Sequence, residues 1–364
     1  MTLMTYVYLI AGLVLLVAGA EVLVRGAAKL AAQFGIPPLV IGLTVVAFGT
    51  SAPETAVSVQ SAFNGSGDLA IGNVIGSNIA NVLLILGVTA LVAPLVVSRQ
   101  LIRLDVPIMI GASLVTFGLA WDGELSRLDG ALLFAGVLAY TGFLIYVARK
   151  EKAGDDDEFT KEFGLDESPK PYAWAINLGL VIAGLVLLVT GSNFLVEGAV
   201  QLARALGLSE LVIGLTVIAV GTSLPELATS IIAAFKGERD IAVGNIVGSN
   251  IFNLLCVLGL ASLVSPAAIP VAANALAFDF PVMIAVAVAC LPIFFSGYRI
   301  NRWEGLLFLA YYVAYTLYLV LFSTGRPQAE TFGDAMIGYV LPLTAITLVI
   351  IAGRAWHKQR GEQV

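Results

Sequence analysis

The sequence is poor in charged residues, histidine and cysteine. Charged residues make up 12% of its 364 positions, about half of the share in a typical soluble chain. The two cysteines, Cys256 and Cys290, lie inside apolar runs and show neither zinc-site nor disulfide-framework spacing. The net charge of −6 gives no basis for binding nucleic acid. These shortages argue against soluble domains, a zinc site and a nucleic-acid partner.

Hydrophobic residues are abundant instead. They make up 59% of the chain, and the mean hydropathy is +0.95. A helix of about 20 apolar residues crosses the hydrocarbon core of a bilayer. Eleven runs meet this requirement, at about 6–24, 36–63, 69–97, 104–121, 128–148, 172–196, 209–235, 241–265, 277–296, 303–323 and 335–353. The sequence therefore predicts an all-α polytopic membrane protein embedded in a lipid bilayer.

The basic residues are distributed unevenly between the alternate ends of these spans. If the amino terminus is outside, 16 of the 19 lysines and arginines fall in segments on the inner side. Arg127, Arg204 and Arg326 are then the three on the outer side. Cytoplasmic segments of membrane proteins are enriched in these residues. We therefore predict an outside amino terminus and an inside carboxyl terminus, and the compact chain favours a prokaryotic plasma membrane.

Two segments of the chain repeat each other at a spacing of 172 residues. Gly49-Thr-Ser-Ala-Pro-Glu54 recurs as Gly221-Thr-Ser-Leu-Pro-Glu226. Gly72-Asn-Val-Ile-Gly-Ser-Asn-Ile-Ala-Asn81 recurs as Gly244-Asn-Ile-Val-Gly-Ser-Asn-Ile-Phe-Asn253. Spans one to five therefore match spans six to ten, and the eleventh is an addition.

The repeat divides the chain into four parts. The first five-helix repeat occupies 1–148, a polar cytoplasmic linker 149–171, the second repeat 172–323, and the extra span with its tail 324–364. Because five is odd, the second repeat enters the membrane from the opposite face. Inverted repeats are the architecture of secondary transporters, whose binding sites lie near the bilayer midplane. The sequence therefore predicts such a transporter rather than an enzyme.

Two glutamates at equivalent repeat positions, Glu54 and Glu226, fall well inside apolar spans. A charged carboxylate at the bilayer centre costs ~2.5–3.5 kcal/mol on insertion scales. The same spans contain no lysine or arginine at matching depth. The compensating charge is therefore predicted to be a proton or a bound cation.

Oxygen-bearing side chains share helix faces with these glutamates or lie in the neighbouring spans. They are Thr50, Ser51, Ser77, Asn81, Thr222, Ser223, Ser249 and Asn253. Pro53 and Pro225 are predicted to break their helices and to free carbonyl groups near Ala47 and Ala219. A shell of carboxylate, hydroxyl, amide and carbonyl oxygens suits Ca²⁺ or Na⁺. The other motif asparagines, Asn73, Asn78, Asn245 and Asn250, are interpreted as structural residues that hold broken helices together.

The doubled motifs resemble the α-repeats of the cation/Ca²⁺ antiporter superfamily, in its Na⁺/Ca²⁺ exchanger branch. The resemblance extends from about residue 6 to residue 323. It implies that Glu54 and Glu226 bind Ca²⁺ and also Na⁺, and that the other oxygen-bearing residues line these ion sites. It also implies that the first and sixth spans form a sliding gate. Ca²⁺ and Na⁺ are then substrates, and no cofactor is expected.

One departure from the family pattern concerns K⁺. Some members carry an aspartate where this chain has Asn253, and in K⁺-dependent exchangers that aspartate is tied to K⁺ transport. Asn253 leaves two site carboxylates, whose charge of −2 balances one Ca²⁺. The resemblance therefore implies K⁺-independent exchange of Na⁺ for Ca²⁺ by alternating access. An H⁺-coupled Ca²⁺/cation antiporter and, more distantly, a cation channel remain alternatives, and the sequence gives no oligomeric state.

Overall fold

The computed structural model describes residues 3–152, 172–206, 219–347, 349–350 and 353. These residues are mainly helical. The helices are α1 (Leu3–Phe34), α2 (Pro38–Thr50), α3 (Ala52–Phe63), α4 (Gly67–Val92), α5 (Leu101–Asp122), α6 (Arg127–Lys152), α7 (Ala173–Ala205), α8 (Leu224–Phe235), α9 (Arg239–Val264), α10 (Ala275–Phe295), α11 (Arg302–Ser323) and α12 (Gln328–Ala335). A single turn, Ala219–Gly221, precedes α8, and a π-helical segment, Met336–Val340, follows α12.

The helices include many of the predicted membrane spans. Among the described residues, eight helices are long and apolar enough to cross a membrane, and the bent pair α2 and α3 makes a ninth. The predicted spans 209–235 and 335–353 lie partly outside the described residues, as does most of the predicted linker 149–171. The total of eleven spans, the inversion of the repeats and the orientation therefore stay predictions.

The second predicted span is broken where its proline predicts a break. Helices α2 and α3 meet at an angle of 47° beside Ser51. Pro53 is the second residue of α3, where the missing N–H removes no helical hydrogen bond. Helix α8 begins in the same way with Pro225. Consequently Glu54 and Glu226 each lie in the first turn of a helix that begins in the middle of a predicted span.

The sequence predicts that this break frees carbonyl groups near Ala47 and Ala219. The carbonyl oxygen of Ala47 accepts the N–H of Ser51 at 3.1 Å and lies 3.3 Å from the hydroxyl oxygen of Thr50. It is therefore hydrogen-bonded, because Ser51 closes the last turn of α2 before the chain bends. Ala219 belongs to the single turn before α8.

Helices α4 and α9 form the centre of the molecule. In their apolar windows 78% and 89% of the residues are buried by protein, against 39% or less in the other spans. Both helices change to π-helical geometry in the middle, over Asn81–Leu86 and Asn253–Val257. Single π-helical turns are frequent at functional sites. The two predicted ligands Asn81 and Asn253 are the first residues of these segments.

Helices α1 and α7 pack against each other through glycines and run antiparallel. Gly12 faces Gly191, and Gly19 faces Gly184. A Cβ atom on Gly19 would lie 2.8 Å from the backbone nitrogen of Leu188, so the two backbones are in contact. Small residues at this spacing allow membrane helices to approach closely. The pair forms an outer layer, since only 33% and 22% of the two apolar windows are buried.

Two short β-ladders depart from the predicted all-α fold. Leu95–Val96 pairs antiparallel with Arg299–Ile300, and Glu124–Leu125 pairs antiparallel with Ile269–Pro270. Each strand has two residues, which is too short for the alternating pattern that identifies a strand in a sequence. Each ladder joins the first half of the chain to the second.

Candidate ion-binding site

The two membrane-depth glutamates are cross-linked to the opposite halves of the chain by serine hydroxyls. Ser51 Oγ donates a hydrogen bond to Glu226 Oε1 at 3.0 Å. Ser223 Oγ donates to Glu54 Oε1 at 3.1 Å. Both glutamates are fully buried, with 0% of their surface exposed. The first turns of α3 and α8 therefore meet, and they bring both carboxylates to one place.

Each carboxylate keeps one oxygen without a hydrogen-bond partner in the described structure. These atoms are Glu54 Oε2 and Glu226 Oε2, and both are buried. Burying a polar group without a partner is unfavourable, and burying an ionised one is much more so. In the described part of the chain, the ion pairs join Glu21 to Arg25 and Lys236, and none involves Glu54 or Glu226. The carboxylates thus have unused ligand capacity and no basic partner there.

The neighbouring predicted ligands show the same unused capacity. Buried oxygens without a partner also belong to Ser77, Asn81, Ser249 and Asn253. Ser77 and Asn81 lie on α4, and Ser249 and Asn253 occupy the equivalent positions of α9. Six of the predicted ligand residues therefore bury an oxygen atom that no donor among the described residues satisfies. A cation is the kind of ligand that such oxygens can bind.

The two predicted threonines contact asparagines of the opposite repeat. Thr50 Oγ1 donates to Asn245 Oδ1 at 3.0 Å, and Thr222 Oγ1 donates to Asn73 Oδ1 at 3.4 Å. Thr50 is fully buried and Thr222 is half-buried. With its proton on the asparagine oxygen, each threonine hydroxyl keeps two lone pairs for another ligand.

A second pair of asparagines connects α4 and α9 directly. Asn78 Nδ2 donates to the carbonyl of Asn250 at 3.2 Å, and Asn250 Nδ2 donates to the carbonyl of Asn78 at 3.4 Å. Asn81 Nδ2 adds a hydrogen bond to Asn250 Oδ1 at 3.0 Å. The amide of Asn253 makes no corresponding bond among the described residues. The two halves of the site are therefore similar in their framework but different in how their ligand asparagines are held.

Sequence reasoning missed several residues that support the site. Ser58 and Ser230 are fully buried and accept hydrogen bonds from Asn73 and Asn245, at 2.9 and 3.1 Å. A pattern in the sequence could have identified both serines, because each lies four residues after its glutamate and 172 residues from its equivalent. Met109 and Met283 contact the Asn250 and Asn78 amides through sulfur, at 3.4 and 3.8 Å. Their pairing depends on tertiary contacts that no local pattern indicates.

The fold and the site together define a class of protein. The chain has many apolar helices, and the broken segment α2–α3 meets the start of α8 at buried carboxylates, hydroxyls and amides. A hard-oxygen site of this kind suits a cation such as Ca²⁺ or Na⁺. A broken helix at such a site, inside the membrane, is a feature of secondary transporters.

Comparison with known proteins gives the same class and names it. The sodium/calcium exchanger protein family matches the chain twice, at residues 4–146 and 176–321. The chain belongs to this family, which confirms the assignment made from the doubled motifs.

Relatives and solved structures agree over most of the chain. The sodium/calcium exchanger MaX1 of Methanosarcina acetivorans is 34% identical over 349 residues, covering 88% of this chain and 99% of MaX1. The inner membrane protein YrbG of Escherichia coli is 42% identical over 281 residues, covering 77% and 85%. The structure of the sodium-calcium exchanger NCX_Mj soaked with zero Na⁺ and Ca²⁺ matches with a TM-score of 0.73 and 30% identity, covering 90% of this chain and 100% of that one.

Proposed function

We propose that the protein exchanges Na⁺ for Ca²⁺ at one buried site between α3, α4, α8 and α9. The ligand set is Glu54, Glu226, Asn81, Asn253, Thr50, Ser51, Thr222, Ser223, Ser77 and Ser249, with the carbonyls of Ala47 and Ala219. The observation that carries the proposal is the cluster of buried oxygens without hydrogen-bond partners on these residues. The Ala47 carbonyl oxygen accepts the N–H of Ser51 in the present conformation and keeps a second lone pair for the ion.

Exchange follows from the charge of the site. Two ionised carboxylates balance the charge of one Ca²⁺, and Na⁺ competes for the same oxygens. A closed, dry site that holds two uncompensated carboxylates is unfavourable, so the empty protein does not readily change conformation. The loaded protein does, because the bound cation removes that penalty. Binding of either ion therefore allows the protein to change conformation, so that the site faces the side from which the other ion binds.

Access from alternate sides requires one part of the protein to move against another. The outer pair α1 and α7 is suited to this role, because its backbones meet at glycines and its apolar surface is mostly open to lipid. The helices α4 and α9, which carry Ser77, Asn81, Ser249 and Asn253, are suited to remain fixed because protein buries them. The proposal is that α1 and α7 slide across this core and expose the site to one side at a time.

The proposed architecture has ten spans in two inverted repeats, with an eleventh span from the carboxyl-terminal segment. The antiparallel packing of α1 and α7, which occupy equivalent repeat positions, supports the inversion. The reciprocal bonds between Ser51 and Glu226 and between Ser223 and Glu54 support a site shared by the repeats. The 16-to-3 distribution of basic residues supports an outside amino terminus. The similarity to YrbG, an inner membrane protein of Escherichia coli, supports a prokaryotic inner membrane.

Flux measurements in proteoliposomes test the proposal. Gradients of Na⁺, K⁺ and H⁺ are imposed one at a time, with the membrane potential clamped, and Ca²⁺ uptake is followed with ⁴⁵Ca²⁺. The proposal requires uptake that depends on Na⁺ moving in the opposite direction. Uptake driven by a pH gradient without Na⁺ would instead identify an H⁺-coupled antiporter, and conduction without any counter-ion would identify a channel.

K⁺ is expected to have no effect on this exchange, because Asn253 provides no third carboxylate. Replacing choline by K⁺ on either side should leave the initial rate of Na⁺-driven Ca²⁺ uptake unchanged within a factor of about two. The Asn253→Asp variant is the informative comparison, since it adds a carboxylate at a fully buried position. An absolute requirement of the unmodified protein for K⁺ would contradict this prediction.

An ion pair connects the proposed moving layer to the core beside the start of α9. Glu21 on α1 accepts hydrogen bonds from Lys236, which follows α8, at 2.5 Å and from Arg25 at 2.7 Å. The equivalent positions in the other repeat are Asn193 and Asn64, which carry no charge. Sliding of α1 away from α8 therefore breaks this ion pair.

The Lys236→Gln variant should lower the population of the conformation in which Glu21 and Lys236 form their ion pair. An exposed ion pair contributes about 0.2–1 kcal/mol, so the shift in the conformational ratio is at most about fivefold. It can be measured as the distance distribution between spin labels on α1 and α8. Asn64→Gln, at the equivalent position, is the control and should leave the distribution unchanged. An unchanged distribution in Lys236→Gln would show that the pair does not restrain α1.

A further inference from the structure

In each repeat, one asparagine lies between the glutamate-bearing helix of its own repeat and a threonine of the other repeat. Asn245 on α9 accepts the Thr50 hydroxyl at 3.0 Å and donates to Ser230 Oγ at 3.1 Å and to the Glu226 carbonyl at 3.4 Å. Asn245 and Ser230 are both fully buried. Both polar atoms of the Asn245 side chain are therefore engaged in hydrogen bonds within the protein.

The equivalent residue of the first repeat makes the same three contacts. Asn73 on α4 accepts the Thr222 hydroxyl at 3.4 Å and donates to Ser58 Oγ at 2.9 Å and to the Glu54 carbonyl at 3.4 Å. Both asparagines occupy the second position of the repeated motif, and their hydrogen bonds repeat with it. The arrangement therefore occurs once in each repeat.

The amide orientation follows from these contacts. Only the NH₂ group of an asparagine can donate to a serine oxygen and a main-chain carbonyl. The Oδ1 atom must then point the other way, and in both repeats it points at the threonine hydroxyl. A threonine hydroxyl has a single proton and two lone pairs. When that proton is directed at Oδ1, the lone pairs are directed elsewhere.

We infer that Asn73 and Asn245 are positioning residues that aim the lone pairs of Thr222 and Thr50 at the transported cation. Each asparagine acts across the repeats, because it is fixed by the helix of its own glutamate and orients a threonine of the opposite half. Residues behind the ligands of a metal site commonly set ligand orientation in this way. The inference rests on the proposed ion-binding function and assigns to these asparagines a role in it that does not involve contact with the ion.

The arrangement also explains why the threonines need a partner at all. A free hydroxyl can rotate and present its proton to the site, and a cation repels that proton. The proton of Thr50 has a second acceptor, the Ala47 carbonyl at 3.3 Å, on the same helix. The Asn245 bond is shorter and links α2 to α9, so it fixes the hydroxyl relative to the core. Loss of the asparagine should therefore weaken cation binding without removing a ligand.

A double-mutant cycle on Thr50→Val and Asn245→Leu tests this inference, with equilibrium ⁴⁵Ca²⁺ binding to the full-length protein as the readout. Each single substitution is expected to weaken Ca²⁺ binding about 3- to 10-fold, the effect of one neutral hydrogen bond. If Asn245 acts through Thr50, the double variant binds no more weakly than Thr50→Val alone. A purely structural role predicts effects that multiply, and that result would overturn the inference.

Matched controls come from buried residues of the same types elsewhere. Thr89 donates to the carbonyl of Ile85 in its own helix at 2.7 Å, and the amide of Asn177 donates to Gln33 at 3.3 Å. Thr89→Val and Asn177→Leu should leave Ca²⁺ binding unchanged.

If Asn245→Leu does not fold, the Ser230→Ala variant replaces it in the test. Ser230→Ala removes one acceptor that fixes the Asn245 amide, so it should also weaken Ca²⁺ binding, but by a smaller factor. Unchanged binding in a folded Ser230→Ala protein would also count against the inference.

Glu54→Gln separates this inference from the proposed function. If Glu54→Gln loses Ca²⁺ binding while the cycle is multiplicative, the ion site stands and the positioning role is wrong. If Glu54→Gln binds Ca²⁺ normally, the proposed site and the inference built on it both fail. A cycle that is not multiplicative, together with loss of binding in Glu54→Gln, supports both.

Discussion

Glu54→Gln and Glu226→Gln are each expected to abolish Na⁺-dependent Ca²⁺ flux. Glutamine keeps the shape of the side chain and can still accept the hydrogen bond from Ser223 or Ser51. It removes one of the two charges that balance Ca²⁺. Leaving a buried charge without its partner costs about 3–5 kcal/mol. This corresponds to a loss of more than about a hundredfold in Ca²⁺ affinity.

The measurement is ⁴⁵Ca²⁺ uptake into vesicles under a Na⁺ gradient, normalised to the amount of folded protein. Glu304→Gln is the matched control. Glu304 is also a buried glutamate, 1% exposed, but its carboxylate accepts the N–H of Asn301 at the start of α11. Glutamine performs the same capping role. Normal flux in both Glu54→Gln and Glu226→Gln would refute the assignment of the site.

The second large effect is expected at the glycine contact between α1 and α7. In Gly184→Ala, the new methyl group would lie 2.6 Å from the backbone nitrogen of Leu23 and 2.8 Å from the carbonyl oxygen of Gly19. Backbone atoms cannot rotate away, so the helices must separate. Overpacking of this kind typically costs about 1–3 kcal/mol. We expect a lower midpoint of thermal unfolding in detergent and loss of most of the flux.

Gly179→Ala provides the control on the same helix. A methyl group at Gly179 meets no atom within 4 Å, and alanine is the better helix former. This variant should retain the unfolding midpoint and the flux. If Gly184→Ala behaved like Gly179→Ala in both measurements, the close approach of α1 and α7 would not matter for stability or transport.

The sequence identifies the candidate site residues but not the hydrogen bonds that connect them. Glu54 and Glu226 stand out because a carboxylate within an apolar span needs an explanation, and the doubled motif identifies their neighbours. Pro53 predicts the break in the second span for a local reason, the missing N–H. The bonds from Ser51 to Glu226 and from Ser223 to Glu54 could not be predicted. They join residues 175 and 169 positions apart, and only the tertiary fold brings them together.

The sequence also did not predict some helix ends or the short strands. The apolar run at 6–24 predicts a shorter helix than α1, which continues to Phe34. Polar residues such as Arg25 and Lys29 end the hydrophobic pattern, but they are good helix formers and the helix does not stop there. The Leu95–Val96 and Arg299–Ile300 ladder depends on the pairing of two distant loops. Neither feature has a local signal strong enough to identify it.

The central claim is that Glu54 and Glu226 hold one cation between them, and a structure determined with Ca²⁺ tests it most directly. We expect one density peak for a Ca²⁺ ion, which an oxygen from each glutamate binds at about 2.3–2.6 Å, the usual Ca²⁺–oxygen distance. High Na⁺ should displace it, because the two ions compete for the same oxygens. The absence of such a peak at saturating Ca²⁺, or a peak that neither carboxylate contacts, would contradict the claim.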